Sequence, residues 1–223
     1  MTDPVKRRPY DNSRRQAQVQ ATRTEVVAAA RRLFVERGYP GTTIEAIADD
    51  ATTPIATVYR LFGSKRGILS AVLDVSYAGD EVPVAVGDRR FVQDAMRDPD
   101  PAALLAAFAR LRREILARAA PVEQVLASAA DVDTEAAELL ATANRQRLVG
   151  QSRIARELAK RGALAEGVDE REAVDVIYTL MSRELYRILT DEREWSAERY
   201  ERWLAKALAA LLLPPGLPVL RGE

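Results

Sequence analysis

The sequence predicts an all-α fold, with a small N-terminal unit and a larger helical body behind it. Three observations predict it. Apolar residues recur at three- and four-residue spacing along most of the chain, the signature of amphipathic helices. Ala and Leu dominate, while Gly and Pro number only 11 each among 223 residues, so helix formers far outnumber breakers. Between residues 42 and 65, two short periodic runs stand a tight turn apart, which is a helix pair in miniature.

Composition narrows the chemistry. The chain is 48% hydrophobic and 30% charged, enough to bury a core and keep a solvated surface. It has no Cys, hence no disulfide, thiolate nucleophile or thiolate metal site. It has no His, which removes the commonest metal ligand and general base. Neither a phosphate-binding glycine loop nor a metal-spaced carboxylate cluster occurs. The acidic residues mostly alternate with Arg, as in Asp191-Glu192-Arg193-Glu194, where solvated pairing is expected. No enzyme, catalytic residue, metal or cofactor is therefore expected. Residues 1–10 are polar and no long apolar run follows, so no secretory signal or membrane partner is expected and a cytoplasmic location is.

Net charge is zero but uneven. Up to Val75 there are 12 Lys and Arg against 8 Asp and Glu; the remainder carries 21 against 25. A basic head on an acidic body suits a nucleic-acid partner.

Residues 1–12 hold Pro4 and Pro9 and few apolar side chains, and read as a disordered arm. Lys6, Arg7 and Arg8, with Arg14 and Arg15 behind them, make it basic. Such an arm can follow a DNA backbone, or be a solvated tail; both readings stand. Residues 13–37 form the first helix, with Val26, Val27, Ala30, Leu33 and Phe34 on one face. Gly38 ends it in a left-handed cap, Tyr39 folds back, and Pro40-Gly41 prevent continuation.

The next stretch, 42–65, organises the head. Thr42 and Glu45 match a capping box, and Ile44, Ile47 and Ala48 share a face. The helix stops near Ala51. Thr53 is expected to cap the next helix and Pro54 to open it. Val58 and Phe62 face inward, and Gly63 is the stop. Ser64 caps a further helix to about residue 77, whose buried stripe is Ile68, Leu69, Val72 and Leu73. Gly67 in its first turns costs about 1 kcal/mol relative to Ala. Two short helices joined by a tight turn make a helix-turn-helix, whose second helix can lie in the DNA major groove. Ala56, Thr57, Tyr59 and Arg60 are left outward. Hydroxyls at Thr57 and Tyr59 suit phosphates, Arg60 suits a base edge or phosphate, and Lys65 is a cation at the rim. Thr42 and Thr43 are candidates at the start of the first short helix. A packed helix pair with a wet face is the plain alternative.

A domain boundary is expected in the Pro- and Gly-bearing stretch 79–88, separating a head over 13–78 from a body over 79–213. In the body, helices are expected over 89–97, 101–118, 122–130, 134–162, 170–192 and 196–213, with a loose tail over 214–223. Pro121 enters the third of these at its first turn. Asn144, Gln146, Arg147 and Gln151 give the long fourth helix a polar middle. Val174, Ile177, Tyr178, Met181, Leu185, Ile188 and Leu189 form one late stripe. Tyr200, Trp203, Leu204, Ala207, Leu208 and Leu211 form another, behind the cap Ser196. Periodicity alone leaves open whether these stripes pack within the chain or across a two-fold axis.

Leu33-Phe34, Gly38-Tyr39, Thr42-Thr43-Ile44, Ile47-Ala48, Thr57-Val58-Tyr59, Phe62 and Ser64-Lys65 stand in the order and spacing of the tetracycline-repressor-like (TetR) regulators. The chain resembles that family closely over roughly residues 24–73, and in length and helical content beyond. The resemblance implies a DNA-binding head and a ligand-binding and dimerisation body. It places Arg23 by the DNA backbone and makes the last two helices a homodimer interface, with Ile177, Met181, Leu185, Trp203, Leu204 and Leu208 in it. It also implies a double-stranded DNA operator, pseudo-palindromic to match the dimer, and repression relieved by a small-molecule effector bound among the middle helices. Candidate effector contacts are Phe108, Arg112, Gln124, Asn144, Arg147, Gln151 and Tyr178. Arg in such a site favours an anionic ligand.

The chain departs from the family pattern at the turn. Thr52-Thr53-Pro54 stands where a Gly-Val-Ser-like sequence is usual, Leu61 where His or Tyr often touches phosphate, and Ile55-Ala56 where polar base readers are common. Ile55 or Ala56 then suits thymine methyl groups. An activator of the same fold, and a helical protein-interaction module that kept the helix-turn-helix, are the rival functions.

Overall fold

The computed structural model describes residues 12–80 and 84–215. Lys6, Arg7, Arg8 and Pro83, and most of the expected tail, lie outside the described residues. Among those residues the chain is helical, without a strand. It divides into two compact units, one up to Val72 and one from Leu73. The division falls inside a helix, six residues before the Gly79 at which the expected boundary region begins.

The first unit holds α1 (Asn12–Arg37), α2 (Ile44–Asp50), α3 (Ile55–Phe62) and the first part of α4 (Lys65–Ala78). Its core is the expected one at Val26, Ala30, Leu33, Phe34, Ile47, Val58, Ile68 and Leu69, all buried, while Ile44 and Phe62, also expected inward, are half-buried. Gly38 adopts φ +70° and its amide donates to Phe34 O at 3.0 Å. The chain reverses there, and Tyr39 stacks on Phe34 with ring centroids 5.7 Å apart. Gly41 follows so close to α1 that a Cβ there would lie 2.4 Å from Arg37 O.

The cap of α2 is Thr43, one residue later than the capping-box pattern indicates. Its hydroxyl accepts from the Ala46 amide at 3.1 Å. Thr42 is instead buried. Its single hydroxyl proton is shared between Leu33 O at 3.0 Å and Gly38 O at 2.8 Å, stitching the loop to the end of α1. The cap position of α3 is Pro54, without a side-chain cap bond. Thr53, expected in that role, is buried and donates backwards to Ala51 O at 3.1 Å. Ser64 does cap α4, accepting from the Gly67 amide at 3.1 Å.

The second unit is a helical bundle: α5 (Arg90–Arg97), α6 (Pro101–Ala130), α7 (Thr134–Lys160), α8 (Glu170–Leu180), α9 (Arg183–Arg187) and α10 (Ala197–Leu212), with the last part of α4. α6 packs on both α10 and α7, and α7 packs on α8. Side-chain caps start α6 (Asp100), α7 (Asp133), α8 (Asp169), α9 (Ser182) and α10 (Ser196). Arg161, just past α7, donates to the last carbonyls of α5: to Met96 O at 2.5 Å and to Asp98 O.

Two expected boundaries are corrected. The runs 101–118 and 122–130 are one helix, continuous through Pro121. A proline removes one amide and crowds the carbonyl four residues back. Pro121 and Ala117 both face solvent, so water can satisfy that carbonyl, while buried Leu116, Ala119 and Val122 hold the two halves together. Conversely, 170–192 is not one helix. It breaks at Met181, restarts at Ser182, whose hydroxyl accepts from the Leu185 amide at 3.3 Å, and ends in a π turn, Ile188–Glu192.

The late stripes are also corrected. Ile177, Met181, Leu204 and Leu208 are buried within the single chain, in the cluster that joins α6, α8 and α10. They are unavailable to a second copy. On α10, Tyr200, Leu204, Leu208 and Leu212 face inward, whereas Trp203, Ala207 and Leu211, also four apart, are half-buried or exposed. Leu185 is half-buried. No described helix is long and apolar enough to cross a membrane.

Candidate functional site

The head presents α3. Val58 is wholly buried and anchors the helix, while Ile55 and Tyr59 are 38% and 46% exposed, and Ala56 and Arg60 are exposed beside them. Thr57 is half-buried. The turn before α3 accommodates its unusual sequence residue by residue. Thr52 takes φ +50°, the left-handed conformation that glycine adopts without penalty. Thr53 fills an inward position and satisfies its own hydroxyl locally. Pro54 O then accepts the Thr57 amide at 2.8 Å and the Val58 amide at 3.2 Å.

After α3, Gly63 at φ +74° turns the chain, and its amide donates to Tyr59 O at 2.8 Å. The turn is tight. A Cβ at Gly67 would stand 2.0 Å from Phe62 O. The Arg23 guanidinium lies 4.7 Å from the centre of the Phe62 ring, so α1 touches the end of α3 through a cation and an aromatic face. Arg32 pairs with Asp50, tying α1 to α2.

Among the candidate DNA contacts, Arg14, Arg15, Thr43, Ile55, Ala56, Tyr59 and Arg60 are exposed, and Arg23 and Thr57 half-buried. Two change role. Thr42 is 0% exposed and cannot touch DNA. The Lys65 ammonium donates to Tyr39 O at 3.0 Å and Thr42 O at 3.1 Å and lies 4.2 Å from the Tyr39 ring centre. It holds the loop before α2 in place instead of standing at the rim.

In the body, the candidate effector residues separate. Gln124 and Asn144 are exposed. Gln124 donates to Ser128 Oγ at 3.2 Å and accepts from Arg183 at 3.0 Å, a surface arrangement that takes it out of the candidate site. Phe108 is ordinary core. Arg112, Arg147, Gln151 and Tyr178 remain. Arg147 stacks over Tyr178 at 3.7 Å from the ring centre, and Gln151 is buried one turn further along α7 on the same face.

Arg112 is 5% exposed. Its Nε donates to Met181 O at 2.7 Å, the carbonyl at the break after α8. Its Nη2 stands 4.0 Å from Glu123 Oε1, beyond hydrogen-bond reach. Burial pushes the Arg112 guanidinium down, and the neighbouring Glu123 charge opposes that shift. Three residues beyond the sequence candidates complete the cluster: Glu123, Tyr77 and Tyr200. The Tyr77 phenol is pushed well above the ordinary range, first by burial and then by the Glu123 carboxylate. Burial pushes the Tyr200 phenol up to about 12, against the lowering influence of Arg112. Arg118 donates to Ser76 O at 3.2 Å and Tyr77 O at 3.4 Å, capping the end of α4. Nothing in the sequence separates Glu123 from a solvated helix charge, or Tyr200 from an apolar stripe. Arg112 did carry a signal: it lies at helical spacing within a run of buried residues, Leu105, Phe108, Ala109, Ile115 and Leu116.

The family model described as "Bacterial regulatory proteins, tetR family" matches residues 26–72. An uncharacterised HTH-type transcriptional regulator of Bacillus subtilis (strain 168), YvkB, is 38% identical over 52 residues, 23% of this chain. That match spans 28% of the relative's length. Solved structures are similar over most of the chain. The SmeT–triclosan complex has a TM-score of 0.70 at 21% identity, covering 91% of this chain and 98% of that one. FadR from Bacillus subtilis, in complex with stearoyl-CoA, has a TM-score of 0.66 at 18% identity, covering 83% and 96%. NalD, the secondary repressor of the MexAB-OprM multidrug efflux pump in Pseudomonas aeruginosa, has a TM-score of 0.66 at 20% identity, covering 87% and 98%. At these identities the structural likenesses establish a common fold.

Proposed function

We infer that this chain, a member of the tetR family of bacterial regulatory proteins through its residues 26–72, is a transcriptional repressor that binds a pseudo-palindromic operator as a homodimer and is released by a small-molecule effector. The observation that carries the reading is α3. It is an eight-residue α-helix, and a helix about 10–12 Å across fits a major groove about 12 Å wide. One buried residue, Val58, fixes which side faces out, and that side holds Ile55, Ala56, Tyr59 and Arg60. Arg60 suits a base edge, Tyr59 a phosphate, and Ile55 and Ala56 thymine methyls. Thr43, Arg14 and Arg15 supply further polar and cationic contacts to the backbone.

The homodimer face is the outer stripe of α10 with the segment before it: Leu185, Ile188, Trp203, Ala207 and Leu211. Leu211 is 51% exposed and Ile188 39%, large apolar side chains that a second copy would cover. A two-fold dimer then offers its heads to half-sites about 34–36 Å apart. The effector occupies the body. To switch operator occupancy from nearly complete to nearly none it must favour the released state by about 5.5 kcal/mol. The small-molecule complexes among the similar structures support such a site.

Selection of genomic fragments on the purified protein at near-physiological salt, followed by footprinting, tests the reading. A protected pseudo-palindrome with half-sites one helical turn apart is expected. Binding without sequence preference that vanishes at moderate salt would leave only backbone attraction and sink it. On the mapped operator, Tyr59→Phe should weaken all sequence variants alike, and Arg60→Ala should relax discrimination at one base pair.

A further inference from the structure

The buried polar cluster of the body carries information about what it binds. Among the described residues, four buried side-chain atoms have no hydrogen-bond partner there: Arg112 Nη2, Glu123 Oε1, Gln151 Oε1 and Tyr200 OH. A buried polar group left without a hydrogen bond is costly; Arg112 Nη2 and Glu123 Oε1 offset part of that cost as an ion pair at 4.0 Å, and the four together favour a polar occupant. They come from α6, α7 and α10, and the Tyr77 phenol at the end of α4 senses the charge of Glu123.

The chemistry of the occupant follows from the inventory. Arg112 Nη2 is a donor only, and Tyr200 OH can donate; both call for an acceptor. Glu123 Oε1 and Gln151 Oε1 are acceptors only and call for a donor. Charge adds a sign. Arg112 and Glu123 offset one another, Glu184 near Arg147 is paired with Arg183 at 2.6 Å, and Arg147, stacked on Tyr178, contributes a positive charge that Arg112 senses. The cluster is therefore one positive charge in excess. A cation would meet Arg112 and Arg147, and a purely apolar ligand would leave all four atoms unpaired. Sites built from buried polar groups reject ligands that lack the matching group.

We propose that the effector is a small organic monoanion with a hydrogen-bond donor close to its charge, such as a hydroxy carboxylate, bound by Arg112 and Tyr200 through the anionic group and by Glu123 and Gln151 through the donor. The proposal rests on the reading of the body as an effector site. Within the same unit, Glu123 stands near Tyr77 in the last turn of α4.

The test uses the full-length protein and a panel of small scaffolds, each offered as the monocarboxylate, the primary amide and the primary amine, with and without an adjacent hydroxyl. Melting-temperature shifts rank the panel, and calorimetric titration measures the best member of each class. Hydroxy carboxylates are expected to bind best. Arg147→Gln, which removes the excess charge at a half-buried position, should weaken the carboxylates about tenfold and leave the amides unchanged; Arg112→Met should weaken the carboxylates further. If amides or amines bind as tightly as carboxylates, or if Arg147→Gln leaves carboxylate affinity unchanged, the anion assignment is wrong and the effector reading survives. If no class binds while the protein still binds its operator, the effector reading falls with it.

Discussion

Replacing Gly67 with Ala sets helix propensity directly against packing. Propensity alone favours the substitution by about 1 kcal/mol, because Gly67 lies in the first turn of α4. The geometry opposes it. The new Cβ would stand 2.0 Å from Phe62 O and 3.1 Å from the carbonyl carbon, against ordinary contacts above 3.4 Å. The carbonyl cannot simply retreat. It accepts the Ser64 amide at 2.9 Å, and the Gly67 amide is itself held by Ser64 Oγ at 3.1 Å. Relief means moving the turn that joins α3 to α4. Overpacking of this kind costs about 1–3 kcal/mol and a lost cap about 1 more. After the propensity gain, the net expectation is a destabilisation of about 1–3 kcal/mol. Urea unfolding followed by circular dichroism measures it, and an operator titration should show weaker binding because the end of α3 has shifted. A Gly67→Ala protein as stable as the parent, or more so, would refute the reasoning and return Gly67 to an ordinary helix position.

The remaining expectations address the turn, the loop and the body. Thr52→Gly should stabilise the head by about 0.5–1 kcal/mol, because it removes a left-handed penalty of about 1–2 kcal/mol at an exposed position and returns part of that in unfolded-chain entropy; a lower melting temperature would contradict it. Thr42→Val keeps the shape but loses the shared hydroxyl bond to Leu33 O and Gly38 O, and should cost about 1 kcal/mol in chemical denaturation. The raised Tyr200 phenol contributes stability that is complete below pH 10 and lost as pH rises towards about 12, since the unfolded chain ionises first. Tyr200→Phe should therefore flatten the alkaline loss of stability by up to about 2 kcal/mol, read from denaturation midpoints across that window.

Much of the head was legible in the residue order. The stop at Gly38, the stacking of Tyr39 on Phe34, the inward Val58 and the Ser64 cap all depend on contacts a few residues apart, and short-range patterns encode those. The exceptions in the head involve longer reach. Thr42 and Thr43 are neighbours with the same side chain, and only the approach of Leu33 O and Gly38 O decides which is buried and which caps α2. Lys65 looked like a rim cation until the carbonyls of Tyr39 and Thr42 closed around its ammonium. In the body the balance reverses. Periodicity identified Ile177, Met181, Leu204 and Leu208 as apolar faces, but a stripe says that a helix side is buried and not what buries it; α6 takes that place within the chain. The same limit hid Glu123 and Tyr200. By itself the sequence determined the all-α class, the helix-turn-helix and the outward face of its second helix, because backbone hydrogen bonding and capping are local. Tertiary structure alone decided which polar groups lost their water, because burial depends on helices distant in sequence coming together around Arg112.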